Sequence, residues 1–237
     1  MAVEIALSLA RVRYGPLEAL HGVDLRIPMA RRTVLLGRNG AGRSTALHAM
    51  AGTVPLSGGR VLWSGGDAGD RPSGLRDITG LDAYRRARLG MTLVPSERAV
   101  FPSLTVAEHL SRLRAPAHDS ALDLFPELRR LLPRTCGTLS GGEQQMVALA
   151  VAIAGPSRLL LLDELGRGLA RPVVARVHAA LSAAVAAGRT VVLAEQLQPQ
   201  QRSSQEDEQY RPPAPDLVYV LRRGSVAFAG EPGEPGL

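Results

Sequence analysis

The chain has 237 residues, enough to bury a substantial core, and the length suits a single α/β domain spanning 1–237. Its formal net charge of +6 comes from scattered basic residues with no dense run or interleaved aromatics, which argues against nucleic acid as a partner. All 28 basic residues are arginine, and the single cysteine, Cys136, excludes an intrachain disulfide and a cysteine metal cluster.

Glu4 interrupts the short N-terminal apolar stretch and no basic segment precedes it, so no signal peptide is expected and the protein should stay in the cytoplasm. Thr33-Val34-Leu35-Leu36 is a short apolar run of β type, and Ser44-Thr45-Ala46-Leu47 opens a helical pattern. Between them Gly37-Arg38-Asn39-Gly40-Ala41-Gly42-Arg43-Ser44-Thr45 reads as a phosphate-binding loop with Arg43 where the motif has lysine. Glycines let successive backbone N–H groups turn towards an anionic phosphate chain at the positive end of the next helix. Side chains at Gly37, Gly40 or Gly42 would obstruct that approach. Ser44 supplies a hydroxyl for Mg²⁺, which binds through nucleotide phosphates. A lysine-free composition makes Arg43 look partly like compositional drift, yet a broad planar fork does not replace a compact ammonium conservatively.

Apolar runs at 34–36, 91–94, 159–162, 191–194 and 217–221 alternate with helical stretches, which predicts a sheet flanked by helices. Residues 104–132 read as helices broken by Pro116 and Pro126. Ser140-Gly141-Gly142 precedes another helix, so its backbone N–H groups and serine hydroxyl form a second anion-binding surface. The apolar stretch 146–154 ends at Gly155-Pro156 and falls far short of the roughly 20 residues a membrane span needs. Runs 159–162 and 191–194 lack alternation, as expected of parallel strands covered on both faces. Asp163-Glu164 and Glu195-Gln196 follow them, at the edge where open α/β sheets bind ligands. Residues 198–215, rich in Gln, Ser, Glu and Pro, read as a flexible surface loop and an expanded linker.

The phosphate loop, Leu139-Ser140-Gly141-Gly142-Glu143-Gln144-Gln145 and Leu159-Leu160-Leu161-Leu162-Asp163-Glu164, at this spacing, resemble the ATP-binding cassette family of transporter ATPases. The narrower resemblance is to the second ATPase subunit of branched-chain amino-acid importers. It rests on Tyr14-Gly15, Ala19-Leu20-His21-Gly22-Val23, Val94-Pro95, Phe101-Pro102-Ser103-Leu104-Thr105-Val106, Gly168-Leu169-Ala170 and Glu195-Gln196. It implies a P-loop NTPase sheet core flanked by helices, an antiparallel β subdomain and a small helical subdomain at about 84–155 that docks onto permease subunits. It also implies ATP as substrate and Mg²⁺ as cofactor, the latter held by Ser44 and by Asp163 through a water. Glu164 would polarise the attacking water, Gln196 would hydrogen-bond phosphate, and Tyr14 would stack on adenine. Ser140, Gly141, Gly142 and Glu143 would address ATP on the opposite subunit of a nucleotide-sandwich dimer, formed with itself or a sister ATPase. A substrate-binding protein would act indirectly, and the chain would lie on the inner face of the membrane.

Several positions depart from the family pattern. Ser96 follows Val94-Pro95 where glutamine or an acid is usual, with Glu97 next; Leu165 replaces a proline; Gly166-Arg167-Gly168 lacks a serine; Val151 replaces an arginine. The sequence therefore supports two readings, a transport ATPase slowed by Arg43 and an ATP-binding module, impaired in hydrolysis, that pairs with an active sister. DNA-repair and chromosome ATPases share the three motifs, but no long heptad insertion interrupts this chain.

Overall fold

A computed structural model describes residues 2–64, 74–97, 99–197 and 213–234. In chain order, β1 (Val3–Tyr14) and β2 (Leu17–Pro28) form a hairpin, and β3 (Arg32–Gly37) leads into α1 (Arg43–Ala51). After β4 (Gly58–Trp63), β5 (Arg76–Asp77) and α2 (Ala83–Arg88) comes β6 (Met91–Val94). A helical stretch then holds α3 (Val106–Leu110), α4 (Ala117–Leu124), two 3₁₀ turns and α5 (Gly141–Ala154). β7 (Leu159–Asp163), α6 (Arg171–Ala186), β8 (Thr190–Gln196), β9 (Leu217–Arg222) and β10 (Ser225–Gly230) complete the chain.

All five apolar runs fall within one six-stranded sheet, ordered β10-β9-β3-β8-β7-β6. Its five central and right-hand strands run parallel, and β10 closes one edge in antiparallel sense. Because side chains alternate along a strand, each continuous apolar run serves two cores. Leu160, Leu162, Val191 and Leu193 join a cluster with α3, α4, α5 and α6, whereas Leu159, Leu161 and Val192 join one with α1 and the antiparallel sheet. That second sheet, ordered β2-β1-β4-β5, covers the α1 face with Ile5, Leu7, Leu20 and Leu25.

The helices between 104 and 132 break at the prolines. α4 starts after Pro116 and ends at Leu124, because Pro126 pushes Phe125 out of the helical region to φ −129° and ψ 76°. Within the range 84–155, β6 belongs to the six-stranded sheet, paired with β7, so the helical part follows it. Of the expected loop at 198–215, residues 198–212 lie outside the described residues, and Pro213, Ala214 and Pro215 carry no regular structure.

Two arginines, one buried and one half-buried, terminate the helices whose N-termini face the candidate site. Arg86, only 3% exposed, donates to Ala49 O and Met50 O at the end of α1, and to Leu81 O and Thr79 O. Arg189 likewise donates to Ala152 O and Ile153 O at the end of α5. A cation there satisfies orphan carbonyls and complements the negative end of the helix dipole. Arg86→Ala leaves several buried carbonyls without a donor, and we expect it to cost about 3 kcal/mol of stability in a denaturant titration. A loss under about 1 kcal/mol would mean that water replaces the guanidinium.

Candidate functional site

Parallel pairing sets the carboxyl ends of β3, β8 and β7 side by side. Gly37 pairs with Gln196, Leu36 with Glu195, and Asp163 with Ala194, so the loop, both acidic pairs and Gln196 meet at one edge. Leu197 N–H donates to Gly37 O at 3.0 Å and extends that register into the loop.

The loop glycines are required by packing as much as by a ligand. A Cβ on Gly37 would lie 2.6 Å from Leu221 O, and one on Gly42 would lie 2.8 Å from Leu20 Cδ2, with φ already at +99°. Gly40 has open space around it, and its φ of +76° is what selects glycine there. Arg38, Asn39 and Gly40 are exposed, Ala41 is buried, and Ser44 and Thr45 are half-buried in the first turn of α1. Tyr14 ends β1 at 47% exposure, in the hairpin whose second strand touches Gly42.

Arg43, only 4% exposed, pairs with Glu164 and acts electrostatically on Asp163 and Glu195 as well. Its Nη2 lies 3.5 Å from Glu164 Oε1 and donates to Asn39 Oδ1 at 3.5 Å, while its buried Nη1 has no hydrogen-bond partner. Asp163 is 1% exposed, and neither carboxylate oxygen has a hydrogen-bond partner. Burial pushes the Asp163 carboxyl up from the usual range; the nearby Ser44 hydroxyl opposes the rise without reaching hydrogen-bond geometry, and Glu164 adds to it. The sequence assigns no role to Glu195. Burial pushes its carboxyl up to about 7, with Arg43 opposing and Glu164 and Asp163 adding. Its place beside Gln196 at a strand end was the available signal.

Glu164 adopts φ +48°, a left-handed conformation uncommon for glutamate, and its N–H donates to Ala194 O at 3.0 Å. Strained backbone of this kind clusters at functional sites. The unpartnered Asp163 oxygens beside the Ser44 hydroxyl suit a hard cation, and the unpartnered Arg43 nitrogen suits an anionic oxygen. Among the described residues no group of three His, Cys, Asp or Glu side chains makes a self-contained metal centre, so a cation here would need the phosphates to complete its shell.

The second surface expected to bind an anion sits at the start of α5. Ser140 caps the helix: its Oγ accepts from Glu143 N–H at 3.3 Å, and Glu143 Oε2 accepts from Ser140 N–H at 2.9 Å. Glu143 is thus turned back onto its own helix end. Gly141 is open on its outer side, and a Cβ on Gly142 would overlap Gly168 O, which ties this turn to the loop after Glu164.

The sequence profile of the ABC transporter family matches residues 20–166, a span holding the loop, the second anion surface and Asp163-Glu164. The chain belongs to that family. It is an ATP-binding cassette ATPase domain. It is 33% identical over 223 residues to the high-affinity branched-chain amino acid transport ATP-binding protein BraG of Pseudomonas aeruginosa, covering 91% of this chain and 87% of that protein. It is also 33% identical over 239 residues to the Fe(3+) ions import ATP-binding protein FbpC of Streptomyces coelicolor, covering 97% of this chain and 62% of that protein. A cassette solved as a dimer in a post-hydrolysis state with ADP and Pi superimposes with a TM-score of 0.75 at 19% identity, over 96% of this chain and 98% of that one. No helix among the described residues is long and apolar enough to cross a membrane.

Proposed function

We propose that this cassette is the ATP-hydrolysing subunit of an importer for branched-chain or other amino acids. The observation that carries the reading is the convergence of Arg43, Asp163 and Glu164 at one sheet edge, with buried polar atoms on Arg43 and Asp163 left without partners. The loop N–H groups, Arg43 and Gln196 bind and orient the phosphates, and Tyr14 offers a stacking face for adenine. Ser44 and Asp163 would hold Mg²⁺, which neutralises developing phosphate charge when bound. Glu164 orients the attacking water and takes up its proton. Ser140, Gly141 and Gly142 address the nucleotide of an opposing ATPase subunit, and closure and reopening of that dimer moves permease subunits on the cytoplasmic face of the membrane.

The likeness to BraG favours amino acids over the iron of the FbpC relative, because it spans most of both proteins. With the chain reconstituted beside its permease and sister ATPase subunits in vesicles, ATP should drive uptake of labelled leucine, isoleucine or valine. Uptake of Fe³⁺ and not of amino acids would overturn the assignment.

The Arg43–Glu164 ion pair favours a second reading. An arginine that occupies the water-activating carboxylate could leave a subunit that binds ATP and relies on its sister for hydrolysis. Indifference of turnover to Glu164 would select this reading.

A further inference from the structure

Glu164 is flanked by two arginines, one on each carboxylate oxygen. Oε1 lies 3.5 Å from Arg43 Nη2, and Oε2 lies 3.9 Å from Arg167 Nη1. The same Arg167 nitrogen lies 3.2 Å from Glu97 Oε1 and donates to it. Four charged groups therefore run in a row, Arg43, Glu164, Arg167 and Glu97, from the phosphate loop to the loop after β6. The backbone fixes the middle of this row: Arg167 N–H donates to Glu164 O at 3.0 Å, closing a tight turn around the left-handed Glu164. Arg167 and Glu97 also line a cavity of about 320 Å³ with Ser96, Gly141, Gly142 and Gly168, so the row borders the second anion surface.

We propose that Arg167 is a positioning residue for Glu164, and that Glu97 anchors Arg167 in that role. The inference rests on the reading of Glu164 as the group that orients water. The two arginines are not equivalent. Arg43 is buried among acids at the phosphate loop and carries an unpartnered nitrogen, so an incoming phosphate competes with Glu164 for it. Arg167 is 55% exposed on its side chain and lies against the other carboxylate oxygen, so it retains Glu164 when Arg43 turns to the anion. Without it, a half-buried carboxylate on a short turn would lose its second cation as the first is drawn off. Glu97, at 71% exposure, contributes direction more than energy, since exposed ion pairs are individually weak.

The test is steady-state ATPase kinetics of the full chain in its assembled transporter, for wild type, Glu164→Gln, Arg167→Ala, Arg167→Lys, Glu97→Gln and Glu97→Gln/Arg167→Ala. Arg167→Ala should lower kcat about tenfold with KM within about twofold, the pattern of an interaction that matters once substrate is bound. Arg167→Lys should recover at least about a third of wild-type kcat. Glu97→Gln should lower kcat about threefold, and the double variant should be no slower than Arg167→Ala, because the two act through one contact. Melting temperature should not move in the Arg167 and Glu97 variants, whose sites are exposed, which separates positioning from folding. An unchanged kcat in Arg167→Ala, or additive losses in the double variant, overturns the proposal. If wild-type turnover already ignores Glu164, the underlying functional reading fails instead, so the two failures are distinguishable.

Discussion

Glu164→Gln should cut ATP turnover by roughly 10²- to 10³-fold while leaving ATP bound at least as tightly, the span expected when a positioned general base is removed. Glutamine matches glutamate in shape, so the left-handed turn at φ +48° and the N–H bond to Ala194 O should persist. What disappears is the ability to take up a proton, together with the charge that holds Arg43 Nη2 at 3.5 Å. Arg43 is then released to the phosphates, which is why affinity should hold or rise as turnover falls. Single-turnover hydrolysis and nucleotide binding, measured on the same assembled complex, read the two effects separately. A turnover that survives the substitution would assign hydrolysis to the sister subunit and make this chain a nucleotide-binding partner.

The parallel half of the fold was legible in the sequence because continuous apolar runs have one physical use in an α/β chain. Leu159 to Leu162 must face two cores at once, and they do. The antiparallel half was expected only from resemblance, and its strands could not be placed by periodicity. β1 explains why: its alternation breaks where Leu9 adopts φ +48° and is 63% exposed, with register shifts on both pairings. β5 is two residues long and has no period to read. At the site, motif spacing located the loop, Asp163 and Glu164, and the end of the apolar run 191–194 located Gln196, all of which converge at one edge. Long-range contacts were not legible, since nothing local announces that Arg86 terminates α1 or that Arg167 faces Glu97. The pattern Ser140-x-x-Glu143 is a helix-capping signature, and that local role was readable although the residues were assigned to a ligand.

Arg43→Ala should lower kcat/KM for ATP by roughly 10²- to 10³-fold, the scale seen when one preorganised donor to a developing anion is deleted. Asp163, Glu164 and Glu195 then face the phosphates without the buried Arg43 guanidinium that offsets all three, so binding and chemistry should fail together. Arg43→Lys separates the two duties of that cation. A lysine ammonium ends short of the outer guanidinium nitrogens and is a compact point charge. It can serve the phosphates, but the contact with Glu164 Oε1, already long at 3.5 Å, should not survive. Glu164 is then free of competition from the loop, and kcat should rise about fivefold over wild type, on the reasoning that an arginine-to-lysine change at an enclosed fork site is not neutral. An unchanged or lower kcat would show that the pocket has adapted to arginine, with the unpartnered Nη1 taking the phosphate while Nη2 stays on Glu164. In that case the Arg43–Glu164 pair is part of the working geometry, and the fork does what a lysine and a separate carboxylate anchor would otherwise have to share.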